Sequence, residues 1–287
     1  MKPKKLSRIV ILDRNDFSQA QRNELKAMAK DVEIFNGMPK DDDDAINRMK
    51  DADAAIVCWY SLSKKCIDAC RKLKYLGVVA TGYSWLAADH AAKKGVTVTN
   101  VPGYATKAVS DFIFRQLDFR PAGKTLGIIG FGRIGSRVAE IAKRKGFRVI
   151  YWNRTAKEAG FDAKPFDDVF AESDVIVLQV KACEGTFGIV KRRNLESAKP
   201  GAIIVNTVSP RLFEDEKHLI GLARRKGLRL ILDFEEKSML SDAAKANKDI
   251  TLTSGIAWKS GESVFRLHQI AIENLESWIG GKTQNRI

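Results

Sequence analysis

Residues 125–135 read Thr-Leu-Gly-Ile-Ile-Gly-Phe-Gly-Arg-Ile-Gly, an apolar strand pattern running straight into Gly130-x-Gly132-x-x-Gly135 and then a helical pattern over residues 134–145. Strand, glycine turn and helix in that order point to dinucleotide binding, the competing reading being a structural loop that has lost its ligand. The first glycine permits the tight turn, the second lets backbone approach a pyrophosphate, and the third lets helix and strand pack closely. The free N–H groups and positive dipole end of the helix then face the phosphates. Gly130, Gly132, Arg133, Ile134 and Gly135 are therefore the expected dinucleotide contacts. The next strand ends Tyr151-Trp152-Asn153-Arg154-Thr155, with no carboxylate where an NAD-selective site offers one to the ribose 2'-hydroxyl. Asn153 suits a ribose without repelling a phosphate, and Arg154 suits a 2'-phosphate, so NADP(H) is favoured over NAD(H). An exposed Arg that is merely solvated is the competing reading of Arg154.

The rest of the chain repeats the strand and helix alternation. Strand patterns at residues 8–12, 32–35, 54–57, 75–80 and 96–99 are separated by helical patterns near 18–30, 42–49 and 86–94. A second series of strands follows at 125–129, 148–152, 175–178, 202–205 and 228–232, and residues 263–279 read as one amphipathic helix ending at Gly280-Gly281. Such alternation implies α/β architecture with open parallel sheets. A length of 287 residues favours two domains, with the boundary placed near Pro102-Gly103.

Composition narrows the classes further. No apolar run approaches the roughly 18 residues of a membrane span, and the basic N-terminus leads into a strand rather than a signal core, so a cytoplasmic protein is expected. The net charge of +14 is gathered partly at Lys2-Pro-Lys-Lys5, Lys191-Arg-Arg193 and Arg224-Arg-Lys226. No nucleic-acid recognition motif accompanies these clusters, which read as solvated helix faces and as a mild attraction for anionic cofactors and acids. Cys58, Cys66, Cys70 and Cys183 lack zinc spacing and are expected to be reduced structural thiols. Asp41 to Asp44 read as an acidic first turn rather than a metal cluster, and no metal is expected.

Several anchors in order, Val79-Ala-Thr-Gly-Tyr83, Val98-Thr-Asn-Val-Pro-Gly-Tyr-Ala-Thr106, Gly123-Lys-Thr-Leu-Gly-Ile-Ile-Gly130, Lys199-Pro-Gly-Ala202, Val205-Asn-Thr207 and Ile256-Ala-Trp258 followed by Ile272-Glu-Asn-Leu275, resemble the D-isomer-specific 2-hydroxyacid dehydrogenases, most closely their glycerate dehydrogenase and hydroxypyruvate reductase branch. The resemblance implies two Rossmann-like domains with the active site in the cleft between them. A discontinuous flavodoxin-like substrate domain would come from residues 1–102 and 257–287, and an NAD(P)-binding domain from residues 103–256, with Thr207 and Asp233 joining the cofactor contacts. It also implies hydride exchange between nicotinamide and a small anionic 2-keto or 2-hydroxy acid, served by an Arg, a Glu and a His.

Counting from the family motifs puts the Arg at Ser209, the Glu at Ser238 and the His at Gly255, so none of the three is present. Arg211, Glu235 and Glu236 stand two to three residues away from the expected positions, while His90, His218 and His268 lie in other patterns. A positioned acid or base contributes about 10²–10⁴-fold in rate. Ordinary family turnover is therefore not expected. Tyr83, Tyr104, Lys107, Arg211 and Lys259 are the replacement candidates, each also readable as a packing or solvated residue. Two functions follow: an NADP-dependent oxidoreductase with non-standard catalytic residues, or a catalytically inactive NADP(H)-binding sensor or scaffold. Between Val109 and Gly123 the chain is shorter than the family's usual dimer arm, which leaves the oligomeric state open.

Overall fold

The computed structural model describes residues 5–83, 85–118, 122–155, 160–236 and 238–287. The chain divides into two compact units, Met1–Tyr104 with Ser260–Ile287, and Ala105–Lys259.

The first unit runs β1 (Leu6–Ile11), α1 (Gln19–Met28), β2 (Ala29–Ile34), α2 (Asp42–Met49), β3 (Ala54–Val57), α3 (Lys64–Ala69), β4 (Tyr75–Val78), α4 (Ala88–Lys93) and β5 (Thr97–Thr99). Its five strands are parallel in the order β2-β1-β3-β4-β5, the flavodoxin-like arrangement. β3 and β4 are buried along their whole length, which explains why they read as unbroken apolar runs. Asp41 caps α2 by accepting the Asp44 N–H at 2.8 Å, and Asp42 to Asp44 form its first turn. Tyr60 and Ser63 donate their hydroxyls to the Asp42 carboxylate at 3.1 and 2.6 Å. Among the described residues no group of three His, Cys, Asp or Glu side chains is placed to hold a metal.

The second unit runs α5 (Thr106–Arg115), β6 (Thr125–Ile129), α6 (Arg133–Arg144), β7 (Arg148–Trp152), β8 (Asp162–Ala163), α7 (Phe166–Glu172), β9 (Val175–Leu178), α8 (Arg192–Ser197), β10 (Ile203–Asn206), a 3-10 turn (Pro210–Leu212), α9 (Glu216–Lys226), β11 (Arg229–Asp233), α10 (Met239–Ala246) and β12 (Ile250–Thr253). The order β12-β11-β10-β9-β6-β7-β8 is all parallel and reverses between β6 and β9. That is the doubly wound nucleotide-binding order with one extra strand at the edge. One core face packs Ile176, Leu178, Ile204, Leu230 and Leu232 under α7 to α10, and the other packs Val138, Ala139 and Ala142 of α6 on Ile128, Val177 and Val205.

α11 (Gly261–Ile279) belongs to the first unit. Asn274 donates its amide to the Asn100 carbonyl at 2.8 Å, and the Gln21 amide donates to the Phe265 carbonyl at 3.0 Å. The return of the last helix to the first domain is thus secured by hydrogen bonds as well as by its buried Leu267, Ile270 and Leu275.

Two basic clusters find partners within the second unit. Lys191 pairs with Glu214, Arg192 with Asp215 and Arg193 with Asp167. Lys226 donates to the carbonyls of Glu196 and Ala198. Lys2 and Lys4 lie outside the described residues. Cys58, Cys66 and Cys70 are buried free thiols, and burial pushes the Cys70 pKa up to about 11. No helix among the described residues is long and apolar enough to cross a membrane.

Candidate functional site

The strand order reverses beside the C-terminal end of β6, where open α/β sheets leave a crevice for ligands. The glycine turn stands there. Gly130 has φ +101°, and a Cβ on it would lie 2.6–2.7 Å from backbone atoms of Gln179 and Val180 just beyond β9. Gly135 opens α6 so close to the turn that a Cβ would lie 2.2 Å from the Gly130 carbonyl oxygen. Gly132, the residue that caps α6, differs: nothing lies within 4 Å of its missing Cβ. The turn is thus closed against the protein at two glycines and open at the third. That opening, at a helix N-terminus without acidic residues in its first turn, suits a pyrophosphate.

The end of β7 builds the next part. Asn153 accepts the Phe131 N–H at 2.9 Å and donates to the Thr155 carbonyl at 2.7 Å, so its amide braces the glycine turn from the neighbouring strand. Arg154 is exposed, with its guanidinium about 3.9 Å from the position of a Cβ on Gly185, and among the described residues no acid pairs with it. The end of β9 adds a residue that sequence reading did not single out. Gln179 donates its side-chain amide to the Thr207 hydroxyl at 2.8 Å, linking the loops after β9 and β10. Only the strand order, which sets β9 beside β6, brings Gln179 to the glycine turn.

At the end of β11, Asp233 is buried and accepts three hydrogen bonds, from the Thr253 hydroxyl at 2.5 Å and from the Ile256 and Ala257 N–H groups at 2.8 and 2.7 Å. Its carboxylate therefore pins the loop that carries Gly255 and Trp258. Gly255 itself has φ +61°, and a Cβ there would lie 3.1–3.5 Å from the side chain of Glu235. Ser209 is buried and donates its hydroxyl to Glu236 at 2.7 Å while accepting the Arg211 N–H at 3.2 Å. The Arg211 guanidinium lies over the Phe187 ring, its Cζ 3.6 Å from the centroid. Ser238 caps α10, paired with Ser241, and shares an open depression with Arg211 and Glu236. Two of the three expected catalytic positions, Ser209 and Gly255, are thus each met by a glutamate.

The other candidates have ordinary surroundings. Lys107 pairs with Asp111 along α5 at 3.6 Å, Lys259 is exposed, and Tyr83 is partly exposed. Burial pushes the Tyr104 phenol up to about 12. His90 pairs with Asp68 at 2.9 Å, and His218 lies 3.2 Å from Glu196. His268 is buried edge-on against Phe17, and that burial lowers its pKa. None of the three histidines shares the strand ends that carry Ser209, Glu235 and Gly255.

Known proteins resemble this chain over most of its length. A hydroxypyruvate reductase of Blautia hydrogenotrophica is 27% identical over an alignment of 282 positions, covering 85% of this chain and 88% of the relative. A glyoxylate reductase of Thermococcus litoralis is 26% identical, covering 83% of each. An acyclic imino acid reductase solved with NADPH and D-Arg is 26% identical, with a TM-score of 0.83 over 98% of this chain and 99% of that one. The profile of the D-isomer specific 2-hydroxyacid dehydrogenase NAD binding domain matches residues 105–257, so the second unit is a nicotinamide dinucleotide-binding domain. The chain belongs to the D-isomer specific 2-hydroxyacid dehydrogenase family.

Proposed function

We propose that this chain is an NADP(H)-dependent reductase of small C=N substrates, imino acids included, rather than of 2-keto acids. The observation that carries the reading is Gly255. It stands at the residue preceding Ile256-Ala257-Trp258, where the resemblance places the proton-exchanging His, and its φ of +61° disfavours any side chain there. When bound, the nicotinamide supplies a hydride. Reduction of a ketone consumes that hydride and a proton, so an acid must stand at the oxygen. An iminium already carries its proton on nitrogen. Hydride addition at its carbon moves the C=N π pair onto nitrogen and gives the neutral amine with no further proton. In this reading none of Tyr83, Tyr104, Lys107, Arg211 and Lys259 has to act as an acid. The 26% identical imino acid reductase supports it.

The cofactor preference rests on Arg154, which has no acidic partner among the described residues, and on the absence of a carboxylate at the end of β7. A charged hydrogen bond is worth about 1.5–3 kcal/mol, so Arg154→Ala is expected to weaken NADPH binding about 10- to 100-fold and leave NADH unchanged. Tryptophan fluorescence titration measures both.

The reaction test follows the absorbance of NADPH with pyruvate alone and with pyruvate plus methylamine, which form an imine in solution. Turnover with the amine present is expected to exceed that without it by about 100-fold or more, the lower end of what a positioned acid supplies to a ketone. Equal rates would reject the imine reading. Tight cofactor binding with no turnover on either would instead favour the sensor or scaffold.

A further inference from the structure

We infer that Glu235 and Glu236 are specificity-determining residues of this site, selecting a substrate with a positively charged nitrogen where the family's resemblance implies a clamp for a carboxylate. The inference rests on the reading of this strand end as the substrate site, and it concerns charge, not the bond reduced. Phe234 is buried in the core and fixes the direction in which the chain leaves β11. From there the two glutamates diverge. Glu235 lies against Gly255 beyond β12, within 3.1–3.5 Å of the place a Cβ would take, and Glu236 reaches back to the Ser209 hydroxyl beyond β10. Both are exposed, and among the described residues neither forms an ion pair.

Each carboxylate occupies the setting of a missing family residue. Ser209 stands where the carboxylate-binding Arg is expected, and its hydroxyl holds a second carboxylate instead. The nearest replacement guanidinium, Arg211, is stacked on Phe187. A substrate carboxylate brought to Ser209 would therefore meet like charge, which works against binding, whereas an ammonium or iminium would gain a charge-assisted hydrogen bond. Ser209 acts here as a positioning residue: its bond holds Glu236 in one conformation before the ligand arrives, reducing the ordering cost of binding.

The test uses ligands of one shape and three charges, n-butylammonium, n-butanol and butyrate, titrated into the NADP+-loaded protein by calorimetry. The wild type is expected to bind butylammonium about 10-fold or more tighter than butanol, and butyrate weakest. The Glu235→Gln, Glu236→Gln double variant should bind all three alike while retaining its NADP+ affinity and melting temperature. Ser209→Ala should lose part of the preference and Ser209→Thr should keep it, a rescue that a purely structural serine would not give. The inference is overturned if the wild type shows no cation preference, or if the double variant keeps it. Cation preference without imine turnover would overturn the reaction proposed above and leave this inference standing; imine turnover without cation preference would do the reverse.

Discussion

Gly130→Ala is expected to abolish measurable NADPH binding and to lower the melting temperature of the nucleotide-binding unit by about 4–24 °C, taking about 2–4 °C per kcal/mol for a domain of this size. Two costs combine. At φ +101° an L side chain occupies sparsely populated backbone space, which costs about 1–3 kcal/mol. The new Cβ would also lie 2.6–2.7 Å from the backbone of Gln179 and Val180. These atoms are held by the Gln179 N–H bond to the Ile129 carbonyl at 2.7 Å, so they cannot yield without breaking the end of the sheet. Overpacking of that kind costs about 1–3 kcal/mol. Gly132→Ala provides the contrast. Its Cβ meets no protein atom within 4 Å and its φ is −85°, so stability should change by no more than about 1 kcal/mol, the scale of an N-cap exchange. Cofactor affinity should nevertheless fall, because the methyl group enters the space left for the pyrophosphate. Thermal melts with fluorescence titrations separate the two effects. If Gly132→Ala binds as the parent does, the opening at Gly132 does not receive the cofactor.

The glycine turn was legible because its requirements are local. Gly130 and Gly135 are each demanded by a φ angle or a contact within a few residues or one neighbouring strand, whereas Gly132 is left open toward solvent. The two parallel sheets were legible for a similar reason, since their central strands are buried on both faces and read as apolar runs. Sheet edges were not. β8, with Asp162 and Ala163 exposed, carries no burial signal, and β12, Ile250–Thr253, is too short and too polar to stand out. β2 starts at Ala29, immediately after α1, although residues up to 30 read as helix and the strand was expected at 32–35. Pairing of Leu6 with Ala29 sets that boundary, and pairing is a long-range fact.

The candidate site divides in the same way. The residue types at positions 209, 238 and 255 were readable, but their surroundings were not. Nothing local says that Ser209 bonds Glu236, 27 residues later. Asn153 and Asp233 were read as cofactor contacts, and the fold engages both with neighbouring backbone.

Those surroundings decide whether the family's usual chemistry can be restored. The triple variant Ser209→Arg, Ser238→Glu, Gly255→His is expected to gain less than about 10-fold in kcat/KM for glyoxylate, not the 10²–10⁴-fold of a positioned acid and base. A histidine at position 255 would start from φ +61° with its Cβ 3.1 Å from the Glu235 side chain, so the imidazole could not be held in one productive direction. An arginine at position 209 would extend from a site only 2% exposed toward Glu236, and the nearest charge would neutralise it before a substrate carboxylate could. A glutamate at position 238 would replace the cap of α10. Adding Glu235→Ala and Glu236→Ala removes the competing side chain at Gly255 and the competing charge at Ser209, so the larger gain should appear only in the fivefold variant. Steady-state kinetics with NADPH decide the matter. A triple variant that already gained 100-fold would show that the glutamates do not obstruct the site; a gain confined to the fivefold variant would show that they, as much as the missing residues, set what this site can reduce.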